Sequence, residues 1–180
     1  MSDPFGEMIL RHAEDDRLAG EMGTFYADLD QRIAARRPVC RQSGVCCRFD
    51  SYGHRLYVTG IELAYFVRGL RGQWRPPEPG SKGCPYQIEG ICTAREHRPM
   101  GCRLFFCDSS SEEWQHAEYE DGLTRLKALS FRIGADYQYI EWLSALDRIT
   151  LPACGAIENL WAGVSLPGGG IDRHPLPVIE

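Results

Sequence analysis

A chain of 180 residues with 43% hydrophobic and 25% charged side chains is long enough to form one domain with its own hydrophobic core, so it is not a small scaffold that depends on cross-links. The net charge of −5 argues against a nucleic-acid-binding protein, and no stretch of the sequence approaches a membrane span. The acidic N-terminus MSDPFGEMILRHAEDD lacks the basic and apolar regions of a signal peptide, so we expect a single cytoplasmic domain over residues 1–180.

The first predicted element is an amphipathic helix over residues 14–36, within an N-terminal helical segment that spans residues 1–37. Pro38 cannot continue a helix and marks its end. The apolar side chains that recur at helical spacing are Leu18, Met22, Phe25, Tyr26, Leu29 and Ile33. We therefore expect one apolar face of this helix to pack against the rest of the domain.

The middle segment, residues 38–107, begins with short elements. The sequence RFDSYGHRLYV predicts a hairpin that turns at residues 52–54. Thr59 and Glu62 have the spacing of a capping box, so a helix is expected to begin there and to run through IELAYFVRGL. The following GQWRPPEPGSKG is too rich in proline and glycine for regular structure.

Two further short elements of the middle segment carry cysteines. In CPYQIEGIC, Gly90 suits a tight turn between two short strands, which would bring the two cysteines of that stretch near each other. In RPMGCRLFFC, Pro99 favours the first turn of a short helix. Both cysteines of that stretch can face one metal only if the helix ends before Cys107, so we expect one or two turns.

The C-terminal segment, residues 108–165, has a helical pattern, and residues 166–180 are a tail. Ser110 and Glu113 have the spacing of a second capping box. One apolar stripe consists of Tyr139, Trp142, Leu143, Leu146 and Ile149, and a second consists of Ile157, Leu160, Trp161 and Val164. The predicted fold is therefore mainly α with small β-hairpins, an irregular α+β domain whose helices wrap a cysteine-rich, metal-organised centre.

The cysteines are the main functional signal, because seven of the eight lie in the middle segment. In the reducing cytosol thiols stay free, which favours metal binding over a disulfide framework. The predicted metal ligands fall on loops, a turn and a helix end, and they are Cys40, Cys46, Cys47, Cys84, Cys92, Cys102 and Cys107. None of them forms a CxxC pair, and this weakens the case for a simple structural zinc site.

The adjacent pair Cys46 and Cys47 raises a geometric question. In extended backbone neighbouring side chains point to opposite sides, so the two thiols are expected to serve different neighbours. Cys154 shares a helical face with apolar residues, and we interpret it as a buried core thiol with a ligand role as the alternative. His97 lies among the cysteines but is expected to be exposed.

Charge is distributed unevenly along the chain. The middle segment carries +5, whereas residues 1–37 carry −3 and residues 108–180 carry −7. Thiolates around a metal leave a net negative charge. Arg98 and Arg103 lie close to the cysteines in the sequence, so we predict that they contact the cofactor and stabilise this charge. A solvated basic face is an equally good interpretation of the same charges.

The stretch CRQSGVCC, followed by KGCPYQIEGICTAREHRPMGCRLFFC, resembles the YkgJ family of cysteine-cluster proteins, whose pattern is CxxCxxCC, then C, then CxxxxxRPxxCRxFPC. The resemblance covers roughly residues 38–107. Residues in register with the second half of the pattern are Cys92, Arg98, Pro99, Cys102, Arg103, Phe105 and Cys107. Ser43 stands where the family has its second cysteine, Arg95 replaces a tyrosine and Phe106 replaces a proline. Because one thiol of the pattern is missing, one metal centre is expected.

The resemblance implies a zinc- or iron-chelating domain of the kind found in small bacterial proteins. Thiolate-only ligation suits zinc or an iron-sulfur cluster, and dispersed ligands without CxxC pairs favour a [4Fe-4S] cluster. The leading hypothesis is an accessory or electron-transfer protein that binds a protein partner through its acidic flanks and contacts neither nucleic acid nor membrane. A zinc-stabilised interaction module is the first alternative.

An enzyme is the third class of function. One branch of the family is attached to flagellin lysine N-methylases, which would make the chain a metal-dependent enzyme. The sequence lacks both a glycine-rich strand-to-helix loop for a nucleoside cofactor and a CxxxCxxC motif for radical chemistry, so no catalytic residue is assigned. Seven clustered cysteines also exceed what a nucleophilic cysteine and a resolving partner require.

Overall fold

The structure, a computed structural model, describes residues 3–40, 44–70 and 73–149. Its helices are Pro4–Ala13 (α1), Asp16–Arg36 (α2), Phe49–Tyr52 (α3), Gly60–Leu70 (α4), Met100–Leu104 (α5), Glu112–Ile133 (α6) and Trp142–Ile149 (α7). The strands are Tyr57–Thr59 (β1), Gln87–Ile88 (β2), Ile91–Cys92 (β3) and Tyr139–Glu141 (β4). The prediction of a mainly α fold with small antiparallel sheets is confirmed. Over these ranges, none of the helices has both the length and the hydropathy to cross a bilayer.

The N-terminal segment contains two helices instead of one. The side chain of Asp15 accepts hydrogen bonds from the backbone N–H groups of Arg17 and Leu18, and this N-cap begins α2. The predicted apolar face is confirmed, since it buries Leu18, Met22, Phe25, Tyr26 and Leu29. Helix α2 ends at the left-handed residue Arg37, directly before Pro38.

The predicted hairpin at residues 52–54 is wrong. Residues Phe49–Tyr52 form the short helix α3, and β1 pairs antiparallel with β4, from Tyr57 opposite Glu141 to Thr59 opposite Tyr139. A strand whose partner lies far away in the sequence gives no local hairpin signal, which is why the pairing was missed. The apolar stripe of α7 does bury Trp142, Leu146 and Ile149 as predicted, although Tyr139 belongs to the strand.

One of the two predicted capping boxes is confirmed. The N–H of Thr59 donates to the Glu62 carboxylate at 2.8 Å, and the N–H of Glu62 donates to the Thr59 hydroxyl at 3.3 Å. The box at Ser110 is wrong, because the carboxylate of Asp108 accepts from the N–H and the hydroxyl of Ser110. This earlier cap begins a short 3-10 turn, and α6 then begins at Glu112.

The core is continuous from the N-terminal helices through the middle segment to α6 and α7. Its centre is aromatic: the ring of Phe66 contacts Tyr86 at 5.0 Å and Trp142 at 4.8 Å, both edge to face. Helix α4, which carries Phe66, packs against both α1 and α2. The second predicted C-terminal stripe, the tail and Cys154 lie outside the described residues.

Glu62 is a buried carboxylate that joins three helices. Its side chain is 2% exposed and accepts hydrogen bonds from Thr59 N (2.8 Å), Thr59 Oγ1 (2.9 Å), Met100 N (2.8 Å) and Tyr26 Oη (3.3 Å). Burial raises the pKa of Glu62, while these hydrogen bonds act in the opposite direction. The carboxylate therefore links α2, the start of α4 and the start of α5.

We expect Glu62→Ala to lower the free energy of unfolding by about 3 kcal/mol, because it leaves several buried donors without an acceptor. Chemical denaturation followed by circular dichroism measures this. Glu78→Ala, which removes an exposed carboxylate, is the control and should change stability by less than about 0.5 kcal/mol. A loss for Glu62→Ala no larger than that of the control would contradict the assigned role.

Candidate metal centre

Cys46 and Cys47 lie in a short 3-10 helix, Val45–Cys47, that follows a turn at Gly44. Gly44 has a φ of 69°, a left-handed conformation that glycine adopts without strain. The helical turn places the two sulfurs 3.8 Å apart, and both line the same cavity. The prediction that they serve different neighbours is wrong, because the backbone here is not extended.

The predicted hairpin between the next two cysteines is confirmed. Strands β2 and β3 pair antiparallel across Glu89 and Gly90, which both have positive φ. The N–H of Cys84 donates to the carbonyl of Cys47 at 3.0 Å, so the hairpin segment docks directly on the double cysteine. This contact brings Cys84 and Cys92 to the same place as the first two thiols.

Helix α5 supplies a fifth thiol. It begins after Pro99 and ends at Leu104, which confirms the predicted short helix that stops before Cys107. The hydrogen bond from Met100 N to Glu62 holds its first turn in place. Cys102, in the middle of this helix, lines the same cavity as the other four thiols.

The cavity that these five cysteines line, here called the thiol cavity, has a volume of about 20 Å³. Its other walls are mainly aromatic and apolar: Phe66, Tyr86, Ala94, Pro99 and Trp142, with Arg98 as the charged member. A second cavity of about 80 Å³ shares Cys46, Cys47, Cys92 and Arg98 with it and adds Cys40 and Cys107. All seven cysteines predicted as ligands therefore line one or both of two cavities with common walls.

The pKa values of the inner thiols are shifted in different directions. A hydrogen bond from the Cys47 thiol lowers the pKa of Cys46 to about 7 and that of Cys92 to about 6. The backbone N–H of Ala94 also lowers the pKa of Cys92, and the charge of Arg98 lowers both. The Cys47 thiol lowers the pKa of Cys84 as well, whereas its own pKa is raised by its bonds to these three sulfurs. Cys47 is thus the neighbour that most lowers the pKa values of three surrounding thiols.

The indole N–H of Trp142 is a suitable hydrogen-bond donor for a negatively charged sulfur. Its side chain is 1% exposed, and its indole N–H has no acceptor of good geometry among the described residues. The same N–H acts on Cys84 and lowers the pKa of that thiol. A buried donor without an acceptor is costly, and a thiolate accepts more strongly than a thiol, so ionised Cys84 would satisfy it. This contact was not predicted, because the spacing of Trp142 in the sequence indicates only an apolar helical stripe.

The two predicted arginines have different partners. Arg98 lines both cavities, and its charge helps to lower the pKa values of Cys46 and Cys92. Burial raises the pKa of Cys102 well above its usual range, and the charge of Arg98 only partly opposes this. Arg95, which was not predicted, acts in the same way on Cys92.

Arg103 is engaged elsewhere. Its side chain is 8% exposed and pairs with Asp30 at 2.8 Å, donates to the carbonyls of Arg98 and Glu96, and lies 4.2 Å from the Tyr26 ring centre. The carboxylate of Asp30 on α2 therefore offsets the charge of Arg103. Through these contacts Arg103 holds α5, the helix that carries Cys102, against α2.

His97 is half-buried, although the sequence predicted an exposed side chain. Its ring packs against Gly69, where a side chain would collide with the imidazole. Burial lowers the pKa of His97. Because the imidazole is used in packing against α4, it is not among the residues that line the thiol cavity.

The thiols that line the thiol cavity are donors of the kind that bind zinc or iron, and one pair of their sulfurs has the separation found in such sites. Zinc–sulfur bonds of about 2.3 Å in a tetrahedron separate neighbouring sulfurs by about 3.8 Å, the distance between Cys46 and Cys47. A volume of about 20 Å³ holds one water-sized sphere. A [4Fe-4S] cluster, which contains four irons and four sulfides, needs more room than one such sphere.

The described thiols do not form a ready-made metal site. Within residues 3–40, 44–70 and 73–149, no three His, Cys, Asp or Glu side chains stand in positions from which they could hold one ion. Binding would therefore require the thiols to change rotamer, as is common where binding and local folding are coupled.

Comparisons with family models, with curated proteins and with solved structures give no match to this chain. The likeness to the YkgJ pattern thus rests on the residues in register alone.

We expect Arg103→Gln to lower the free energy of unfolding by about 2 kcal/mol, since it removes charged hydrogen bonds from a largely buried site, although half-exposed Asp30 is partly screened by water. Urea denaturation measures the change. Arg11→Gln removes an exposed arginine and serves as the control. Equal stability of the two variants would show that the pair with Asp30 is screened by solvent.

Proposed function

We propose that the chain is a metal-binding protein in which the thiol cavity holds one thiolate-ligated ion, zinc or iron. The observation that carries the proposal is the gathering of Cys46, Cys84 and Cys92 around the sulfur of Cys47. Thiolate ligands favour zinc and iron over hard cations such as magnesium. Cys102 borders the same cavity and is available as an alternative ligand.

The charges and donors around the cavity support this assignment. Arg98 and Arg95 would offset the negative charge that thiolates leave on a divalent ion, and the indole N–H of Trp142 would donate to Cys84. Such outer contacts orient ligands and tune the bound metal. In this proposal the ion ties the double cysteine to the hairpin segment that carries Cys84 and Cys92, and it also reaches α5 if Cys102 is a ligand.

The biological role that follows is that of a metal-stabilised accessory protein. The ion would hold together loops that have little regular structure of their own, and the surface that it organises would bind a protein partner. When bound, zinc would supply structural cohesion, whereas iron would also permit electron transfer.

The [4Fe-4S] cluster expected from the sequence is the second candidate. The observation that favours it is the number of thiols, because Cys102, Cys40 and Cys107 exceed what one tetrahedral ion requires. A cluster would need the thiols to move apart and the thiol cavity to merge with its neighbour. The two candidates differ in colour, in iron content and in sulfide content, so one purification separates them.

The test is anaerobic purification followed by metal analysis and an absorption spectrum. We expect one zinc or iron per chain and no acid-labile sulfide. Cys92→Ser should weaken metal binding by more than the roughly 10- to 100-fold that changes outside the ligand shell cause. Cys40→Ser, at an exposed thiol that does not line the thiol cavity, is the matched control and should retain the metal.

Iron with stoichiometric sulfide would replace the single ion by the cluster. A chain that is purified without any metal and cannot be loaded with zinc or ferrous iron would contradict both candidates. Equal metal content in Cys92→Ser and Cys40→Ser would show that the ligands are wrongly assigned.

A further inference from the structure

A cavity of about 380 Å³, here called the aromatic cavity, lies directly beside the thiol cavity. Cys46 and Cys102 line both. Other side chains that line it include His54, Arg55, Tyr57, Phe105, His116 and Tyr139. Its volume falls within the range of pockets that hold small molecules, and its lining combines apolar surface with a few polar groups, as such pockets do.

Flat ring surfaces form a large part of this lining. The rings of Tyr57 and Tyr139 stack at 5.4 Å with an angle of 21° between their planes, and those of His54 and Phe105 stack at 5.5 Å with an angle of 18°. The hydroxyl groups of Tyr139 and Tyr119 lie 2.8 Å apart, which helps to hold the first pair in place. Ring faces of this kind bind planar molecules by stacking.

The polar groups of the aromatic cavity favour an anion. Among the described residues its lining contains an arginine, two histidines and no aspartate or glutamate, and the Cys46 thiol lies on the wall that it shares with the thiol cavity. Arg55 also borders a neighbouring cavity with Asp50 and Glu141, but Asp50 pairs with Lys82 and Glu141 accepts from Ser144. Within the described part of the chain no carboxylate pairs with Arg55, so its guanidinium is available to a ligand.

We propose that the aromatic cavity is a binding site for a small anionic molecule with a planar aromatic portion. The planar portion stacks on the exposed ring faces, and the anionic group, a carboxylate or a phosphate, pairs with Arg55. Such a ligand lies against Cys46 and Cys102, and therefore next to the proposed metal. The ligand binds through stacking and charge, so this proposal does not depend on which metal the thiols hold.

The test uses three probes that separate planarity from charge: naphthoate, naphthylmethylammonium and cyclohexanecarboxylate. Isothermal titration calorimetry on the full chain as purified measures each dissociation constant. Naphthoate should bind, and the planar cation and the non-planar anion should each bind at least about tenfold more weakly. Equal affinity for the three probes, or no binding of naphthoate, would overturn the proposal.

Variants locate the site. Arg55→Gln should weaken naphthoate binding about tenfold, whereas Arg11→Gln, which removes an exposed arginine elsewhere, should leave it unchanged. Both positions are exposed, so both variants should fold. Circular dichroism spectra that match that of the unmodified chain would establish this. Equal affinities of the two variants would place naphthoate outside the aromatic cavity and refute the assignment. A chain that binds naphthoate but no metal would refute the metal centre and leave this site intact.

Discussion

The buried carboxylate of Glu62 is the interaction on which the rest of the described structure depends. A carboxylate in the core is costly unless donors surround it, and here the donors come from Thr59, Met100 and Tyr26. These residues belong to three separate parts of the chain, so satisfying one side chain fixes the positions of α2, α4 and α5 relative to one another. Short helix α5, with five residues, has little stability of its own and depends on this contact.

The arrangement of the thiols follows from that constraint. Glu62 holds α5 on one side of the thiol cavity, and Arg103 reinforces the same contact through Asp30 on α2. On the other side, the hydrogen bond from Cys84 N to the carbonyl of Cys47 joins the hairpin segment to the double cysteine. The helices therefore carry the scaffold, while the thiols lie on short segments that a bound ion would draw together. The aromatic cavity lies next to these contacts, where β1, α5 and the first two turns of α6 meet.

Local signals in the sequence predicted the elements whose partners are close in the chain. Three examples are the capping box of Thr59 and Glu62, the turn at Gly90 and the end of α5 before Cys107. The contacts that the sequence did not predict join distant residues, such as the pairing of β1 with β4 and the ion pair between Arg103 and Asp30. The seven clustered cysteines were predicted as a group, but the 3-10 turn that directs Cys46 and Cys47 into one cavity has no sequence signal that distinguishes it from extended backbone. Tertiary contacts decided these cases, as they commonly do for short segments.

X-ray absorption at the metal edge, on protein purified without oxygen, tests whether the thiols hold a single ion. We predict a metal with sulfur as its main ligand at about 2.3 Å and no second metal nearby. Loss of that sulfur shell in Cys92→Ser would identify the thiol cavity as its place. Short metal–metal distances would contradict the single ion in favour of a cluster, and a shell made only of oxygen and nitrogen would contradict thiolate ligation altogether.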